Sequence, residues 1–537
     1  MEMKRNAIIL AAGKSSRFAP FTYEKPKGLF CVKGEVLIER QITQLREAGV
    51  EDIYVVVGYM KEKFFYLEAK YGVHILVNNT FAKKGNLYSL YVAREYLANT
   101  FICCVDHYFS ENPFIDNNRE NRSYRACTRL DGEFREFAVE YSDASVITDM
   151  NIGGCNQMAM VGQAYFNKEF SKRFRELLEN EIDDFGVDAM FWEEFYSRHM
   201  QKLTLYMKEC EADSVWEFET IDDLRRFDSD FLLNVDSRIV DNICATLECE
   251  PNQIVDIQVI RAGLTNVSFR FTVNGKMYVY RHPGGTSGNL IDRRTELFAQ
   301  QAAKRLELDK SVIRMDESGW KISYFVPDIM ECDFSKYAWQ LQRGLSFIRK
   351  IHTVSLVGTD VKTFDTFGEG MKLLRIAAAA KGNLEDEFGE IIAKMKKLDA
   401  LLKADAKDMG LKPVLCHNDV YEPNYIATKD HDFYLIDWEY AGVNDPANDI
   451  SCIFSRYDFT DKEIDAYLKL YFGRRLSDRE YRHYRAYIPL SAFYWFCWGL
   501  YKGSVGDDDG FFFLPAYRNC VRFVDIALSM FGEENFN

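Results

Sequence analysis

The residue types and spacings most capable of chemistry lie in one stretch. Cys416-His417-Asn418-Asp419-Val420-Tyr421-Glu422-Pro423-Asn424 contains His-x-Asp, then four residues and Asn; Tyr434-Leu435-Ile436-Asp437 follows with an Asp at the end of an apolar run. Phosphoryl transfer to a hydroxyl needs one carboxylate to orient the attacking oxygen and take its proton. It also needs an amide oxygen and a second carboxylate to hold Mg²⁺ against the phosphates. Asp419, Asn424 and Asp437 fit those roles in chain order, with His417 beside them. Either segment alone reads equally as a polar loop with helix-capping side chains. Both together, in this order, read as an ATP-dependent kinase centre. Upstream, Thr265 and Asn266 fall between two strand candidates, where a loop can cover phosphates. Arg281 ends the next strand and Glu296 follows in a helical stretch; such a pair grips the nucleotide phosphates, or is merely a surface ion pair.

Three further groups could do chemistry. Trp495, Trp498 and Tyr501 share one helical face. A quaternary ammonium, which donates no hydrogen bond, is held by such faces through cation–π attraction; a core-facing stripe is the competing reading. Near the start, Leu10-Ala11-Ala12-Gly13-Lys14-Ser15 follows an apolar strand, and its backbone N–H groups can face a triphosphate. A Walker A loop is excluded, because Ile8 stands where that motif requires Gly. Asp106 ends another strand, a position equally suited to a turn former.

Tyr280-Arg281-His282-Pro283-Gly284-Gly285-Thr286, Ile291-Asp292-Arg293, His417-Asn418-Asp419 and Ile436-Asp437-Trp438-Glu439-Tyr440-Ala441-Gly442 resemble choline/ethanolamine kinases, particularly the bacterial choline kinases, over roughly 245–530. Asn444-Asp445-Pro446 and Asp449-Ile450 extend the likeness. The resemblance implies a two-lobed α+β protein-kinase-like fold, as in aminoglycoside phosphotransferases, with Arg281 as the strand cation. It also implies a choline pocket formed by Trp495, Trp498 and Tyr501, with Tyr517 as a weaker member and Glu439 as a nearby carboxylate.

The loop Leu10–Arg17 resembles the L-A-A-G-x-G-S-R loop of nucleotide-sugar-type nucleotidyltransferases, with Ser15 in place of the second Gly; Lys25-Pro26-Lys27 matches that family's P-K element. Asn86-Leu87-Tyr88-Ser89-Leu90-Tyr91, Val57-Gly58-Tyr59 and Phe191-Trp192 are most similar to CTP:phosphocholine cytidylyltransferases, over roughly 5–228. The resemblance implies nucleotide contacts from the loop and from Asn86 and Ser89, and phosphate charge offset by Arg17 and Lys27. It implies Mg²⁺ on Asp106 and Glu219, the latter where the family usually has Asp. Phe137, Phe191 and Trp192 are candidates for a second trimethylammonium cage, with core packing as the alternative.

These groups need elements to position them. Apolar strands near 7–12, 53–57, 74–77 and 101–105 alternate with helical stretches, as a Rossmann-like, mostly parallel α/β sheet requires. Gly13, Gly58 and Asp106 fall at strand carboxyl ends, where such sheets bind ligands. Beyond about 228 the pattern changes. Strands at 255–260, 268–273 and 277–281, the last two joined by Asn274-Gly275, read as an antiparallel sheet. The expected organisation is a nucleotidyltransferase domain over 1–230 and a kinase domain over 236–537. The latter divides into a sheet lobe at about 250–330 and a helical lobe at about 334–537.

The whole chain has 537 residues and net charge -15, which argues against a nucleic-acid partner. Its 13 cysteines show no zinc-framework spacing, and no apolar run reaches membrane-spanning length, so a cytoplasmic protein is expected. Oligomeric state stays open. Together the resemblances imply a fused enzyme that phosphorylates choline with ATP. It then transfers CMP from CTP to phosphocholine, giving CDP-choline and pyrophosphate, with Mg²⁺ at both sites. Two alternatives stand beside it. One is an ethanolamine or other amino-alcohol kinase fused to a related or sugar-phosphate nucleotidyltransferase. The other is an active kinase with a regulatory binding domain at its N-terminal end.

Overall fold

The computed structural model describes residues 4–115, 121–260, 266–284, 290–506 and 513–532. Two compact units divide the chain, Met1–Ile257 and Gln258–Asn537. The division falls later than the 230–236 junction read from the sequence. Glu24 accepts hydrogen bonds from the Ser237 hydroxyl and from Ile239 N, and Lys25 donates to Val235 O at 2.8 Å. These bonds hold the first turn of the helix Arg238–Leu247 in the N-terminal unit.

In the N-terminal unit a seven-stranded sheet forms from β1 (Asn6–Ala11), β2 (Asp52–Val57), β3 (His74–Val77), β4 (Thr100–Cys104), β5 (Tyr124–Tyr141), β6 (Ile147–Phe166) and β7 (Tyr206–Glu209), in the order β7-β5-β6-β4-β1-β2-β3. The neighbours β4, β1, β2 and β3 are parallel. Ala7–Ile9, Val55–Val57 and Phe101 have no exposed surface, as a sheet covered on both faces demands. The long ribbon β5–β6 is antiparallel and breaks register between Leu130 and Glu133 and again between Phe134 and Phe137. Those irregularities re-aim the side chains that follow. Helix α1 (Leu37–Glu47) buries Leu37, Ile38, Ile42 and Leu45. From the same helix the Gln41 amide donates to the carbonyls of Cys104 and His107 at 2.9 and 2.8 Å, which holds the turn bearing Asp106.

A five-stranded sheet begins at the unit boundary with β8 (Val255–Ile260) and continues with β9 (Val267–Val273), β10 (Lys276–His282), β11 (Val312–Met315) and β12 (Lys321–Tyr324), ordered β8-β9-β10-β12-β11. Asn274 and Gly275, at φ 50° and 73°, make the tight turn expected between β9 and β10. Helix α2 (Arg293–Arg305) carries Glu296. The rest is mainly helical. Helix α3 (Pro446–Ser455) is buried along its whole length. So is most of α4 (Asp478–Ser504), which is why it lacks a polar face. The short strands Val414–Cys416 and Phe433–Leu435 lead into the segment His417–Asn424 and to Asp437. Among the described residues, no helix is long and apolar enough to cross a membrane.

Fully buried in α4, His483 bridges Asp405 (3.1 Å) and Asp445 (2.9 Å), and Asp405 also receives Arg479 and Arg482. Burial pulls the imidazole pKa down, but Asp445 and Asp405 outweigh it, so the value lies above 6.5. A pKa raised on folding stabilises fully below the unfolded value, about 6.5, and the contribution is lost as pH rises through the folded value. The C-terminal unit's melting transition should therefore fall as pH rises above about 6.5. His483→Gln should flatten that dependence in calorimetry of the full chain.

Candidate active sites

In the N-terminal unit, a cavity of about 530 Å³ opens beyond the carboxyl ends of β1 and β4. Leu10, Ala11, Ala12, Gly13 and Ser15 line one side, and Asn86 and Ser89 another. Ser15 adopts φ 47°, ψ 47°, the left-handed conformation that Gly enters without strain, so the loop keeps its turn despite the substitution. Lys14 is exposed and is not part of the cavity lining. Lys27 is buried with Nζ 3.4 Å from Asp106 Oδ2, donates to Phe218 O, and lies 4.2 Å from the Phe18 ring centroid. Arg17 is exposed and pairs with Glu219 at 3.3 Å.

The carboxylate placed beside Asp106 is Glu217 rather than Glu219. Ligand atoms of Asp106, His107 and Glu217 lie within 4.8 Å of one another. The strand Val215–Glu217 pairs antiparallel with His107–Phe109, setting Glu217 opposite His107 at 3.3 Å, while Glu219 lies past the strand end beside Arg17. Burial raises the Glu217 pKa, but His107, Lys27 and Arg125 outweigh it and bring it to about 2.

Asn86 does structural work at the same wall: its Oδ1 accepts from Trp192 N at 2.8 Å, and its side chain hydrogen-bonds Glu193. Gly85 permits this approach, since a Cβ there would sit 2.1 Å from Met190 O. Phe137 and Phe191 line the cavity. Trp192, expected with them, is instead a core residue, 2 % exposed and packed on Phe166. Its helix turns the indole inward and presents the next residue, Glu193, to the cavity. Glu193 is buried, lies 3.5 Å from Arg125, and its Oε2 has no hydrogen-bond partner among the described residues. Burial raises its pKa. Sequence reading missed Glu217, Glu193 and Arg125, because no local pattern distinguishes them from other charged residues.

In the C-terminal unit, His417 Nε2 lies 2.9 Å from Ile436 O, and Asp419 Oδ2 accepts from Asn424 Nδ2 at 2.8 Å. Asp437 follows the strand Phe433–Leu435 at φ 65°, and Asn418 sits at φ 64°. These left-handed residues are strained, by about 1–3 kcal/mol each, and need surrounding support. Asp449 supplies it: its oxygens accept from His417 N and Asn418 N at 3.0 and 2.7 Å. Arg281 Nη2 lies 2.5 Å from Glu296 Oε1, and its Nη1 lies 3.5 Å from Asp437 Oδ1. Asn266 donates to Glu439 at 2.7 Å; Thr265 lies outside the described residues. Burial and then Asp437 push Glu439 up to about 8.

The aromatic helix divides its members. Trp498 lines a narrow groove with Glu439, Tyr440 and Tyr494, and its Nε1 donates to the Tyr440 hydroxyl at 2.9 Å. Trp495 instead has the Arg456 guanidinium 3.6 Å from its ring centroid. Tyr501 is buried in the helical core, and Tyr517 packs on Phe496 and Phe388. Helical spacing aligned these rings, but packing of neighbouring helices decided which one meets the groove. Tyr440, Tyr494 and Arg456 were not anticipated.

Comparison with known proteins accords with both units. Residues 7–151 match the MobA-like NTP transferase domain, and residues 340–487 match the phosphotransferase enzyme family. A 2-aminoethylphosphonate cytidylyltransferase from Lancefieldella rimae is 36% identical over 43% of this chain and 94% of its own. The N-terminal half belongs to the cytidylyltransferase family. A choline-phosphate cytidylyltransferase from Streptococcus pneumoniae is 32% identical over 41% of this chain and 96% of its own. The choline kinase LicA structure from Streptococcus pneumoniae aligns with 54% of this chain and 98% of its own, at 23% identity and TM-score 0.44. The chain is thus a nucleotidyltransferase fused to a kinase-like phosphotransferase.

Oxygen donors suit a hard divalent cation: Asp106 and Glu217 lie together in the N-terminal site, and in the C-terminal one Asp437 lies beside Arg281 while Asn424 gives its amide nitrogen to Asp419 and keeps its oxygen as a donor to a cation. If Glu217 holds such an ion, Glu217→Gln should lower cytidylyl-transfer kcat by roughly 100-fold or more. Glu219→Gln, at the exposed rim, should cost less than about tenfold. Steady-state kinetics across a Mg²⁺ titration checks both.

Proposed function

We propose that this enzyme phosphorylates choline with ATP and transfers CMP from CTP to the phosphocholine produced, giving CDP-choline and pyrophosphate. The observation that carries the reading is the grouping of Glu439, Tyr440 and Trp498 in the kinase groove: aromatic faces suit a quaternary ammonium, whose charge would draw the raised Glu439 carboxyl group to its ionised form. A cytidylyltransferase half then gives the phosphorylated product a use within the same chain. Both reactions consume nucleotides, and the reading puts the enzyme in the cytoplasm.

In the kinase step, Asp419 orients the choline hydroxyl and takes its proton as the oxygen attacks the γ-phosphorus and ADP leaves. Arg281, fixed by Glu296, holds the nucleotide phosphates. Asn424 and Asp437 would hold Mg²⁺, which supplies charge neutralisation on those phosphates. In the transfer step, a phosphocholine phosphate oxygen attacks the α-phosphorus of CTP, and the bond to the pyrophosphate oxygen breaks. Backbone N–H groups of Gly13 to Ser15 face the triphosphate, Lys27 offsets its developing charge, and Arg17 reaches it from the rim. Asp106 and Glu217 would hold the second Mg²⁺.

One observation favours a second reading of the acceptor. Glu193 Oε2 offers an acceptor oxygen that a primary ammonium can use and a trimethylammonium cannot. Phosphoethanolamine or 2-aminoethylphosphonate would satisfy it.

Purified protein with ATP, CTP and Mg²⁺ should yield CDP-choline from choline. Asp419→Asn should abolish choline phosphorylation and leave CMP transfer to added phosphocholine intact, and Asp106→Ala should do the reverse. Parallel assays with ethanolamine and 2-aminoethylphosphonate decide the second reading. Absence of any CDP-choline would sink the first.

A further inference from the structure

Arg456 is a buried cation that phosphoryl transfer does not by itself require. It follows α3, and its guanidinium lies 3.6 Å from the Trp495 ring centroid and 3.9 Å from that of Tyr421. Its Nη2 is 2.5 Å from Asp419 Oδ1, while Asn424 holds the other Asp419 oxygen. Asp419 and the two ring faces offset the cost of burying the charge. The aromatic slot beside the hydroxyl-orienting carboxylate therefore already contains a cation, and that cation belongs to the protein.

The second acidic end of the site is built differently. Glu439 accepts from the neutral Asn266 amide and lines the groove with Tyr440, Tyr494 and Trp498; of the other carboxylates there, Glu369 is paired with Lys362 and Lys372, whereas the hydrogen-bond partner of Glu439 is neutral. An amino alcohol has a cationic end and a hydroxyl end, and two acidic centres could in principle attract the cation. Only one orientation brings the hydroxyl to Asp419. A fixed positive charge at Asp419 disfavours the reversed orientation by like-charge repulsion and by filling the slot.

Resting on the amino-alcohol kinase reading, we propose that Arg456 is an orientation-determining residue. It occupies the Tyr421/Trp495 slot as a resident cation, closes the slot to the substrate ammonium, and so turns the hydroxyl toward Asp419. A role confined to positioning Asp419 would have a different kinetic signature. Loss of positioning lowers kcat alone, whereas reversed, unproductive binding lowers kcat and KM together.

The test uses the full chain with ATP, Mg²⁺ and choline, and tetramethylammonium as a cation lacking a hydroxyl. Arg456→Met should lower kcat and choline KM in parallel, each by about tenfold or more, with the ATP KM within about twofold. Tetramethylammonium inhibition should tighten by about tenfold or more as the vacated slot accepts it. Arg456→Lys, which keeps the charge, should leave choline KM and tetramethylammonium inhibition close to those of the unsubstituted enzyme. Unchanged or raised choline KM in Arg456→Met, with unchanged inhibition, overturns the proposal. If Arg456→Met loses ATP binding through misfolding, Arg456→Lys decides. Tighter tetramethylammonium inhibition there overturns the proposal, and unchanged inhibition upholds it. An unsubstituted enzyme that phosphorylates no amino alcohol overturns the kinase reading itself, a result recognisable before any variant is made.

Discussion

Burial of charge is the constraint on which both sites depend. An ionised group removed from water survives only with a partner close by. Lys27 and Asp106, Arg125 and Glu193, Arg281 and Glu296, and Arg456 and Asp419 meet within 2.5–3.5 Å in largely buried settings. Each pair leaves one group, or one oxygen, turned toward a site, so the pairing that keeps the fold tolerable also prepares the surface that meets substrate. Glu193 shows the limit of this economy: one oxygen is close to Arg125 and the other lacks a partner among the described residues.

Secondary structure delivers these groups by ending where they are needed. In the N-terminal unit, parallel strands stop at the phosphate loop and before Asp106, and Gln41 of α1 ties down the second of these turns. In the C-terminal unit, the left-handed residues Asn418 and Asp437 each lie two positions after the last residue of a short strand. Asp449 holds the Asn418 turn through two backbone N–H groups, while the amides of Asn444 and Asn448 hold its side chain at 2.9 Å. The strain is local, and a buried polar network behind His417–Asp419 offsets it.

Much of the chemistry was legible without coordinates because it is carried by short motifs. His417 to Asn424, Asp437, the loop Leu10–Ser15 and Lys27 keep their spacing within single loops or strand ends. The parallel and antiparallel sheets were equally readable from apolar runs and from Asn274-Gly275. The long ribbon β5–β6 was not, because its strands alternate irregularly and are interrupted by register shifts. Likewise, the helix Arg238–Leu247 looked like the start of the second domain until Glu24 and Lys25 proved to hold its entrance.

Reaction class was legible along the chain, since phosphoryl and nucleotidyl transfer need particular groups at set spacings. Tertiary structure alone decided which member of each candidate set faces its site. Strand register put Glu217, not Glu219, beside Asp106, and helix orientation sent Trp192 to the core and Glu193 to the cavity. At the centre of the kinase, Arg456 took the ring of Trp495 that helical spacing had offered to a substrate cation. Such choices depend on contacts between residues tens to hundreds of positions apart, and local periodicity carries no record of them.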